Sequence, residues 1–411
     1  MHGRLPLWRR IGYPAGMSTE DISHRGLLPP GLGDMLPPEA ALEALLIERL
    51  TARFAAQGYE RVKPPLVEYE ESLFGGAGQA MAAHTFRLMD PESRRMMGLR
   101  ADMTLQVARI ATTRLKDAAR PLRLSYAGNV LRMKATQLRP VRQFAQVGFE
   151  LIGSDAAAAD AEAILLAVDA LRGVGVPELS VDLNLPTLVT AICAALGLDE
   201  AVVSRLRRAL ERKDEAALRR SLAGAVGDGT TGMFAALLRA VGPAAAGIVA
   251  LRLLDLPAAA RAEAARLADV VGRVQAAMPD LHLTIDPVEY RGLEYQDGVS
   301  FTVFARGAMG EAGRGELGRG GRYRAGYPDA GGTEPATGCT LYMDTVLGVA
   351  RIGVPARRLF VPAEVAWAAL AALREQGWLT VQGLVGVSDI AAEARRLGCP
   401  HGLVGGRVEA V

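Results

Sequence analysis

The sequence has few of the residues that build covalent or metal-bound frameworks. Its 411 residues include only three cysteines, Cys193, Cys339 and Cys399, which lie far apart and without a histidine at metal-ligand spacing. Neither a disulfide framework nor a zinc site is predicted from this pattern. Unpaired cysteines fit a reducing compartment, so we expect a cytoplasmic protein that uses no metal and no cofactor.

Long apolar runs and an excess of one charge are also absent. The stretch from Leu183 to Leu198 carries no charge, but it is shorter than the ~20 residues that cross a bilayer, and Asn184 and Pro186 interrupt it. No apolar segment follows the first arginines, so we expect no secretory signal. The formal net charge of +2 argues against a global basic field for nucleic acid or anionic lipid.

Half of the chain is hydrophobic, which is enough for a sizeable core. At ~100–200 residues per domain, the length predicts about two to three domains. We expect an N-terminal extension at 1–24, a large core at 25–354 and a small α/β unit at 355–411. An Ala/Leu/Arg-rich stretch at about 199–278 reads as a helical insertion in the core.

Local patterns place several elements. Leucines and Phe54 recur at helical spacing over 37–57, which predicts an amphipathic helix. Pro64 and Pro65 interrupt the strand-like segment 59–67. A turn sequence at 90–93 predicts a hairpin, and the segments 121–131 and 142–152 read as antiparallel strands. The segment 337–352 reads as a helix. Strand character runs across 315–323, although the glycine clusters at 313–321 taken alone favour a loop.

The second of these antiparallel strands carries the first candidate site. Period-two alternation puts Gln146 and Glu150 on one face, where an amide and a carboxylate could hold an ammonium group. By themselves these residues fit an exposed polar strand face better. Arg132 follows the preceding strand, where it could grip an anion bidentately or simply be a solvated turn cation.

Two more segments concentrate polar side chains. The run Arg291-Gly-Leu-Glu-Tyr-Gln-Asp-Gly holds a cation, two carboxylates and a tyrosine, and Gly320-Gly-Arg-Tyr could bring backbone amides and an aromatic ring to a ligand. A hairpin and a tight turn are the plainer alternatives. Residue pattern alone therefore predicts a polar pocket over an antiparallel sheet.

In this order, the segments resemble the catalytic core of class II aminoacyl-tRNA synthetases, and among them histidyl-tRNA synthetase, over about 31–352. Leu99-Arg-Ala-Asp-Met-Thr is similar to the family's R-P-E-G-T, and 132–150 to its motif 2. The two polar runs above are similar to its histidine-specific signatures. The resemblance implies an α+β fold with a class II antiparallel sheet flanked by helices, a helical insertion and a truncated C-terminal α/β unit.

The departures from that family fall on its ATP-binding residues. Lys134 stands where motif 2 has a glutamate that reads adenine, and Thr345 stands where motif 3 has an arginine. A cation cannot accept the hydrogen bonds of the lost carboxylate. The C-terminal unit ends about 40 residues earlier than the synthetase's anticodon-binding domain on that comparison, so we expect synthetase activity to be lost.

The amino-acid pocket is largely retained. By resemblance, one group of residues matches the positions that hold the α-amino group of histidine: Asp102, Thr104, Gln146 and Glu150. Arg132 and Arg291 match positions near the carboxylate, and Tyr295 and Tyr323 match the two signatures. Gln296 replaces a second tyrosine near the imidazole.

A synthetase core with this combination is similar to the regulatory subunits of ATP phosphoribosyltransferase (HisZ type). The resemblance implies a non-catalytic subunit that forms a homodimer within a hetero-octamer with the short catalytic subunit. It would activate the first step of histidine biosynthesis and relay feedback inhibition by L-histidine, with no membrane and no tRNA partner. An active histidyl-tRNA synthetase and a stand-alone histidine-binding sensor remain as alternatives.

Overall fold

The computed structural model describes residues 27–75, 82–135, 140–289, 296–305, 315–327, 332–353 and 357–411. It divides into two compact units, one ending at Ile352 and one beginning at Gly353. The expected N-terminal extension lies outside the described residues.

The strands are, in chain order, β1 Glu60–Arg61, β2 Val67–Tyr69, β3 Arg87–Met89, β4 Met96–Leu99, β5 Leu122–Leu131, β6 Gln143–Ile152, β7 Leu179–Asn184, β8 Gly242–Pro243, β9 His282–Asp286, β10 Gln296–Ala305, β11 Glu316–Tyr327, β12 Gly332–Tyr342, β13 Arg358–Val361, β14 Leu379–Gln382, β15 His401–Val404 and β16 Arg407–Ala410.

The helices are α1 Glu39–Ala56, α2 Glu70–Leu73, α3 Thr104–Thr113, α4 Ala157–Gly173, α5 Leu188–Ala195, α6 Glu200–Glu211, α7 Glu215–Leu222, α8 Asp228–Arg239, α9 Ala244–Arg252, α10 Ala258–Ala277, α11 Met343–Val349, α12 Ala369–Glu375 and α13 Ile390–Arg396.

A large sheet dominates the first unit, with the strand order β1-β5-β6-β12-β11-β10-β7-β9-β8. Every pair from β5 to β7 in this order is antiparallel. β1 and β9 join it in parallel, beside β5 and β7. A second, small sheet has the order β2-β4-β3. The architecture agrees with the expected α+β fold, and the hairpin predicted around residue 90 is the β3–β4 pair.

The helices α1 and α4 cover one face of the large sheet, because their apolar stripes meet the apolar side of β6. α1 buries Leu46, Leu50 and Phe54, as its spacing predicts. The Phe54 ring meets Phe149 of β6 edge to face, with centroids 4.8 Å apart. α3 lies on the opposite face, where Met103 and Val107 pack with Tyr126 and Tyr323. One face of the sheet is therefore covered by helix packing, and the other face carries both apolar and polar groups.

The two prolines break the chain between β1 and β2, as predicted. The carbonyl groups that they leave without a strand partner accept side-chain hydrogen bonds: Arg100 Nη1 donates to Pro64 at 3.0 Å and Gln106 Nε2 donates to Pro65 at 2.8 Å. Burying these carbonyls without such donors would cost free energy.

The helix predicted for 337–352 is wrong over its first half. Residues 332–342 form the strand β12, and only 343–349 are helical. β12 lies between β6 and β11 and is buried on both faces from Ala336 to Tyr342. A strand buried on both faces has no alternating pattern, so periodicity does not separate it from a buried helix.

The strand character read across 315–323 is confirmed by the central strand β11, and the loop favoured for the glycine clusters is wrong over 316–321. The glycines of β11 serve close packing. A Cβ atom on Gly320 would lie 2.2 Å from Cζ of Phe301, and one on Gly318 would lie 2.4 Å from the Thr340 carbonyl oxygen. These positions need the absence of a side chain rather than chain mobility.

The predicted insertion contains the helices α6 to α10 and the two-residue strand β8, which pairs with β9 at the sheet edge. The second unit has a four-stranded sheet of order β14-β13-β15-β16 with α12 and α13. Its last strand, β16, extends the predicted strand-helix-strand-helix-strand order. Among the described residues, no helix is long and apolar enough to cross a membrane.

A buried ion pair ties α4 to the large sheet. Arg322 of β11 is only 4% exposed, and its Nε donates to both carboxylate oxygens of Asp160, at 3.1 and 3.2 Å. Other nitrogens of the same guanidinium donate to the carbonyls of Ser154 and Ala156, just before α4 begins. Burial raises the pKa of Asp160, and the charge of Arg322 opposes that shift.

Replacing Arg322 by alanine should destabilise the protein by about 3–5 kcal/mol, because Asp160 would lose its hydrogen-bonded partner and keep only the more distant Arg266, at 3.6 Å, beside its buried charge. The measurement is the free energy of unfolding in urea. Arg324→Ala is the matched control, since Arg324 lies on the same strand but is exposed. Equal losses in the two variants would contradict the importance of this ion pair.

Candidate functional site

A polar pocket lies on the mixed face of the large sheet, beside the N-terminal end of α3. Its lining includes Asp102 and Thr104 from the start of α3, Glu150 from β6, Thr340 from β12, and Arg319 and Tyr323 from β11. Strand pairing brings these residues together. Glu150 faces Gly338 of β12, which faces Gly321 of β11, and Thr340 faces Arg319 in the neighbouring row.

Gly338 gives the Glu150 side chain room to cross a strand. A Cβ atom on Gly338 would lie 2.0 Å from Glu150 Oε2. Because this space is open, the carboxyl group lies over β12 and reaches β11, where Tyr323 Oη donates to Oε2 at 3.0 Å. Tyr126 Oη on β5 donates to the other oxygen at 3.1 Å.

Glu150 is a buried carboxyl group held by hydroxyls. It is 1% exposed, and burial raises its pKa to about 8, although hydrogen bonds from Tyr323, Thr104 and Tyr126 oppose the shift. No described ion pair gives it a cationic partner. In the ligand-free pocket it is therefore mostly protonated at neutral pH, and the arrival of a cation would favour its ionised form.

A chain of hydroxyl groups connects Glu150 to the start of α3. Thr340 Oγ1 lies 2.7 Å from Tyr126 Oη, and Thr104 Oγ1 lies 3.2 Å from that same hydroxyl. The Thr104 backbone amide in turn donates to Asp102 Oδ1 at 2.9 Å. The two carboxyl groups of the pocket, Asp102 and Glu150, therefore belong to one hydrogen-bonded system.

Gln146 braces Asp102. Its Nε2 donates to Asp102 Oδ2 at 2.9 Å, and its Oε1 accepts the Met103 backbone amide at 3.1 Å. Both ends of the amide are thus engaged by the protein. Gln146 is fully buried, as is Glu150, so the exposed strand face that the sequence favoured is wrong.

Five of the eight predicted site residues meet in this arrangement, namely Asp102, Thr104, Gln146, Glu150 and Tyr323. Arg132 lies at the end of β5 with its guanidinium carbon 5.0 Å from the centroid of the Phe144 ring, and it is not in the described pocket lining. Arg291 and Tyr295 fall outside the described residues.

Sequence reasoning missed several residues at the pocket, among them Tyr126, which bonds Glu150, and the lining residues Thr340 and Arg319. Tyr126 faces Gly148 of β6, so period-two counting on the preceding strand could have found it. Thr340 was hidden by the helix predicted for its segment, and Arg319 stands in glycine clusters that taken alone favour a loop.

The two residues that depart from the synthetase's ATP-binding pattern are not in the described pocket lining. Lys134 is exposed in the segment after β5. The Thr345 hydroxyl donates to the Tyr342 carbonyl at 3.0 Å, so it is used within its own helix. Within the described ranges, no three His, Cys, Asp or Glu side chains are grouped to hold a metal ion.

Comparison with known families agrees with the fold. The family described as histidyl-tRNA synthetase matches residues 31–346. A solved structure from Bacillus halodurans, described as an ATP phosphoribosyltransferase regulatory subunit/histidyl-tRNA synthetase, is 26% identical. It superposes with a TM-score of 0.75 and covers 92% of this chain and 97% of its own. The protein therefore has the class II, histidyl-tRNA synthetase-like fold, and the fold predicted from the sequence is confirmed.

Curated relatives narrow this class. The ATP phosphoribosyltransferase regulatory subunit of Rhodospirillum centenum is 54% identical over 396 residues, covering 96% of this chain and 99% of the relative. The chain belongs to the family of ATP phosphoribosyltransferase regulatory subunits, which confirms the predicted resemblance. It is a regulatory subunit and not itself an enzyme.

A complex from Thermotoga maritima has a chain with the same fold. Described as an ATP phosphoribosyl transferase (HisG:HisZ) complex, it matches at 15% identity with a TM-score of 0.55. The match covers 74% of this chain and 97% of that one. At this identity the likeness establishes the fold alone.

Replacing Glu150 by glutamine should stabilise the ligand-free protein increasingly as the pH rises. The folded carboxyl has a pKa of about 8, against 4.5 for an ordinary glutamate, so the folded state binds the proton more tightly. Wild-type stability therefore falls through this window, by about 1.4 kcal/mol per pH unit at most, and the variant lacks this loss.

The measurement is thermal denaturation of both proteins from pH 5 to pH 9 without histidine. The difference in Tm should widen up to about pH 8 and then level off, as a folded-state pKa of about 8 requires. Other titrating groups are common to both proteins and cancel in the difference. A constant difference across the range would contradict an uncharged Glu150.

Proposed function

We propose that the protein binds L-histidine in this pocket and carries feedback inhibition to a short ATP phosphoribosyltransferase catalytic subunit, which needs this protein for activity in the first step of histidine biosynthesis. The observation that carries the proposal is the buried Glu150, held by two tyrosines and lacking a cationic partner among the described ion pairs. A ligand with a cationic nitrogen would complete this site.

Histidine offers two nitrogen-bearing ends, an α-ammonium group and an imidazole ring. The pocket offers two carboxyl groups, Asp102 and Glu150, linked through the hydroxyls of Thr104, Tyr126 and Thr340. Charge-assisted hydrogen bonds to these groups would be stronger than neutral ones. Asp102 is held in place by Gln146, so its orientation is set before a ligand arrives.

Regulation requires that histidine prefer one arrangement of the complex over another. A ligand shifts an equilibrium only through its differential affinity, and linkage requires the catalytic subunit's substrates to alter histidine affinity in return. The pocket lies between α3 and the centre of the large sheet. A change in the position of α3 would therefore alter Asp102 and Thr104 relative to Glu150.

Relatives support assembly with a catalytic subunit. The Rhodospirillum centenum relative is called a regulatory subunit, and the Thermotoga maritima structure is a HisG:HisZ complex. We propose a homodimer within a hetero-octamer in the cytoplasm. The small sheet exposes apolar side chains that suit a protein interface, with Met89 62% exposed and Leu66, Leu88 and Met96 also exposed.

Addition of this protein to the short catalytic subunit from the same genome should strongly raise the rate of phosphoribosyl-ATP formation, with the effect saturating at a fixed stoichiometry. ATP and phosphoribosyl pyrophosphate are held constant, and size-exclusion chromatography of the mixture reports assembly. Failure to activate, together with separate elution, would refute the regulatory role and favour a stand-alone histidine sensor. Histidine-dependent ATP–pyrophosphate exchange by this chain alone would instead support a synthetase.

In the same assay, Glu150→Gln should raise the histidine concentration needed for half-maximal inhibition by about tenfold or more, since a charge-assisted bond contributes about 1.5–3 kcal/mol. The variant's activation of the catalytic subunit is recorded in parallel, to show that it still assembles. Glu334→Gln is a matched control, because Glu334 is a glutamate of the same sheet that pairs with Arg120 and is not in the described pocket lining. Unchanged inhibition in Glu150→Gln would remove Glu150 from the effector site.

A further inference from the structure

The proposed ligand carries a carboxylate as well as two nitrogen-bearing ends, and the described pocket contains one arginine that nothing in the sequence resemblance assigns. This residue is Arg319, on the pocket side of β11, where it shares a row with Thr340 of β12 and Thr302 of β10. Arg132, predicted to lie near the carboxylate, instead lies over Phe144 and outside the described lining.

Arg319 is held in one orientation and keeps unused donors. Its Nε and Nη2 donate to the two carboxylate oxygens of Glu316 at 2.9 and 3.1 Å. A guanidinium group has five N–H donors, so this pair leaves the Nη1 side without a described acceptor. The side chain is 35% exposed, which leaves it open to a ligand in the pocket.

The spacing between Arg319 and Glu150 suits an amino acid. Glu150 on β6 and Arg319 on β11 are separated by β12 and by one row of the sheet. With strands about 4.8 Å apart and two residues covering about 6.8 Å, their Cα atoms lie about 12 Å apart. Both side chains line the space between them, so a small zwitterion can lie with its cationic nitrogen near Glu150 and its anion near Arg319.

Arg319 lies in a short segment of β11 whose other residues are glycines. Gly318, Gly320 and Gly321 flank Arg319, and each lacks room for a Cβ atom against neighbouring atoms. Arg319 is the one side chain between Gly318 and Gly321, and apart from its pair with Glu316 it has no described hydrogen-bond partner. Its place in the pocket lining makes it available to a ligand.

We propose that Arg319 binds the α-carboxylate of the amino-acid effector and so determines that the pocket takes an amino acid rather than an amine. This inference rests on the proposed function, because it assumes that histidine is the ligand of this pocket. Glu316 fixes the guanidinium, the carboxylate takes the remaining donors, and the carboxyl groups Asp102 and Glu150 take the nitrogen-bearing ends.

The test compares two ligands in two proteins by isothermal titration calorimetry. L-Histidinol keeps the ammonium and imidazole groups of L-histidine but replaces its carboxylate with a hydroxymethyl group. Wild-type protein should bind L-histidine about 10- to 100-fold more tightly than L-histidinol, as expected for a charged hydrogen bond. In Arg319→Gln this preference should fall to within about twofold, with L-histidinol affinity nearly unchanged.

Two further variants separate this effect from a structural one. Arg319→Gln alone removes the cation that pairs with Glu316, so Arg319→Gln combined with Glu316→Gln restores the local charge balance and should show the same lost preference. Arg324→Gln, an arginine on the opposite side of the same strand, should keep the wild-type preference.

The outcomes are distinct. If both Arg319 variants retain the preference for L-histidine, the carboxylate is bound elsewhere and the proposal is overturned. The same comparison with Arg132→Gln and Arg291→Gln then shows which of these two arginines binds it. If the Arg319 variants weaken both ligands equally, Arg319 shapes the pocket and does not read the carboxylate. If wild-type protein binds neither ligand, the proposed function fails before Arg319 is tested.

Discussion

The burial of one carboxyl group, that of Glu150, is the constraint on which the candidate site depends. A carboxyl group inside a sheet is stable only if its oxygens are hydrogen-bonded, and Tyr126 and Tyr323 meet that need from strands on either side. Those bonds in turn require small neighbours. A side chain at Gly338 would collide with the carboxyl group, and one at Gly148 would lie 2.4 Å from the Tyr126 hydroxyl.

The same strand alternation that builds the pocket also isolates it from the structural core. On β11, Tyr323 reaches Glu150 in the pocket, while the adjacent Arg322 points to the other face and anchors α4 through Asp160. Two hydrogen-bonded systems whose β11 residues are adjacent in sequence therefore serve separate purposes. A substitution in the pocket can change ligand binding without breaking the ion pair that joins the helix layer to the sheet.

Much of the fold could be predicted because its signals are local. The α1 stripe and the β5–β6 pair follow from spacing within single short stretches of chain, 39–56 and 122–152. The site is different, because the bond between Glu150 and Tyr323 joins residues 173 positions apart. Only resemblance to a family placed both residues in one pocket, and residue type gave no sign that the strand β12 would run between them.

The misread segments also have a common physical cause. β12 is buried on both faces and β11 is rich in glycine, so neither shows the alternation that marks a half-buried strand. These are the two strands that cross the centre of the pocket. A ligand site at the middle of a sheet demands close backbone packing and full burial, and both demands erase the sequence pattern on which strand prediction depends.

The protonation state of Glu150 connects this packing to regulation. With a pKa of about 8, ionising the carboxyl at pH 7 costs only about 1.4 kcal/mol, less than a charge-assisted bond to a ligand cation can return. A neutral ligand does not gain the free energy of a charge-assisted bond. The pocket therefore favours a ligand with a cationic nitrogen, and the cost of ionising Glu150 limits its affinity. In a synthetase the bound amino acid is consumed by reaction with ATP. Where that reaction is lost, the free energy of amino-acid binding would instead be available to shift the proposed complex from one arrangement to another, which feedback control requires.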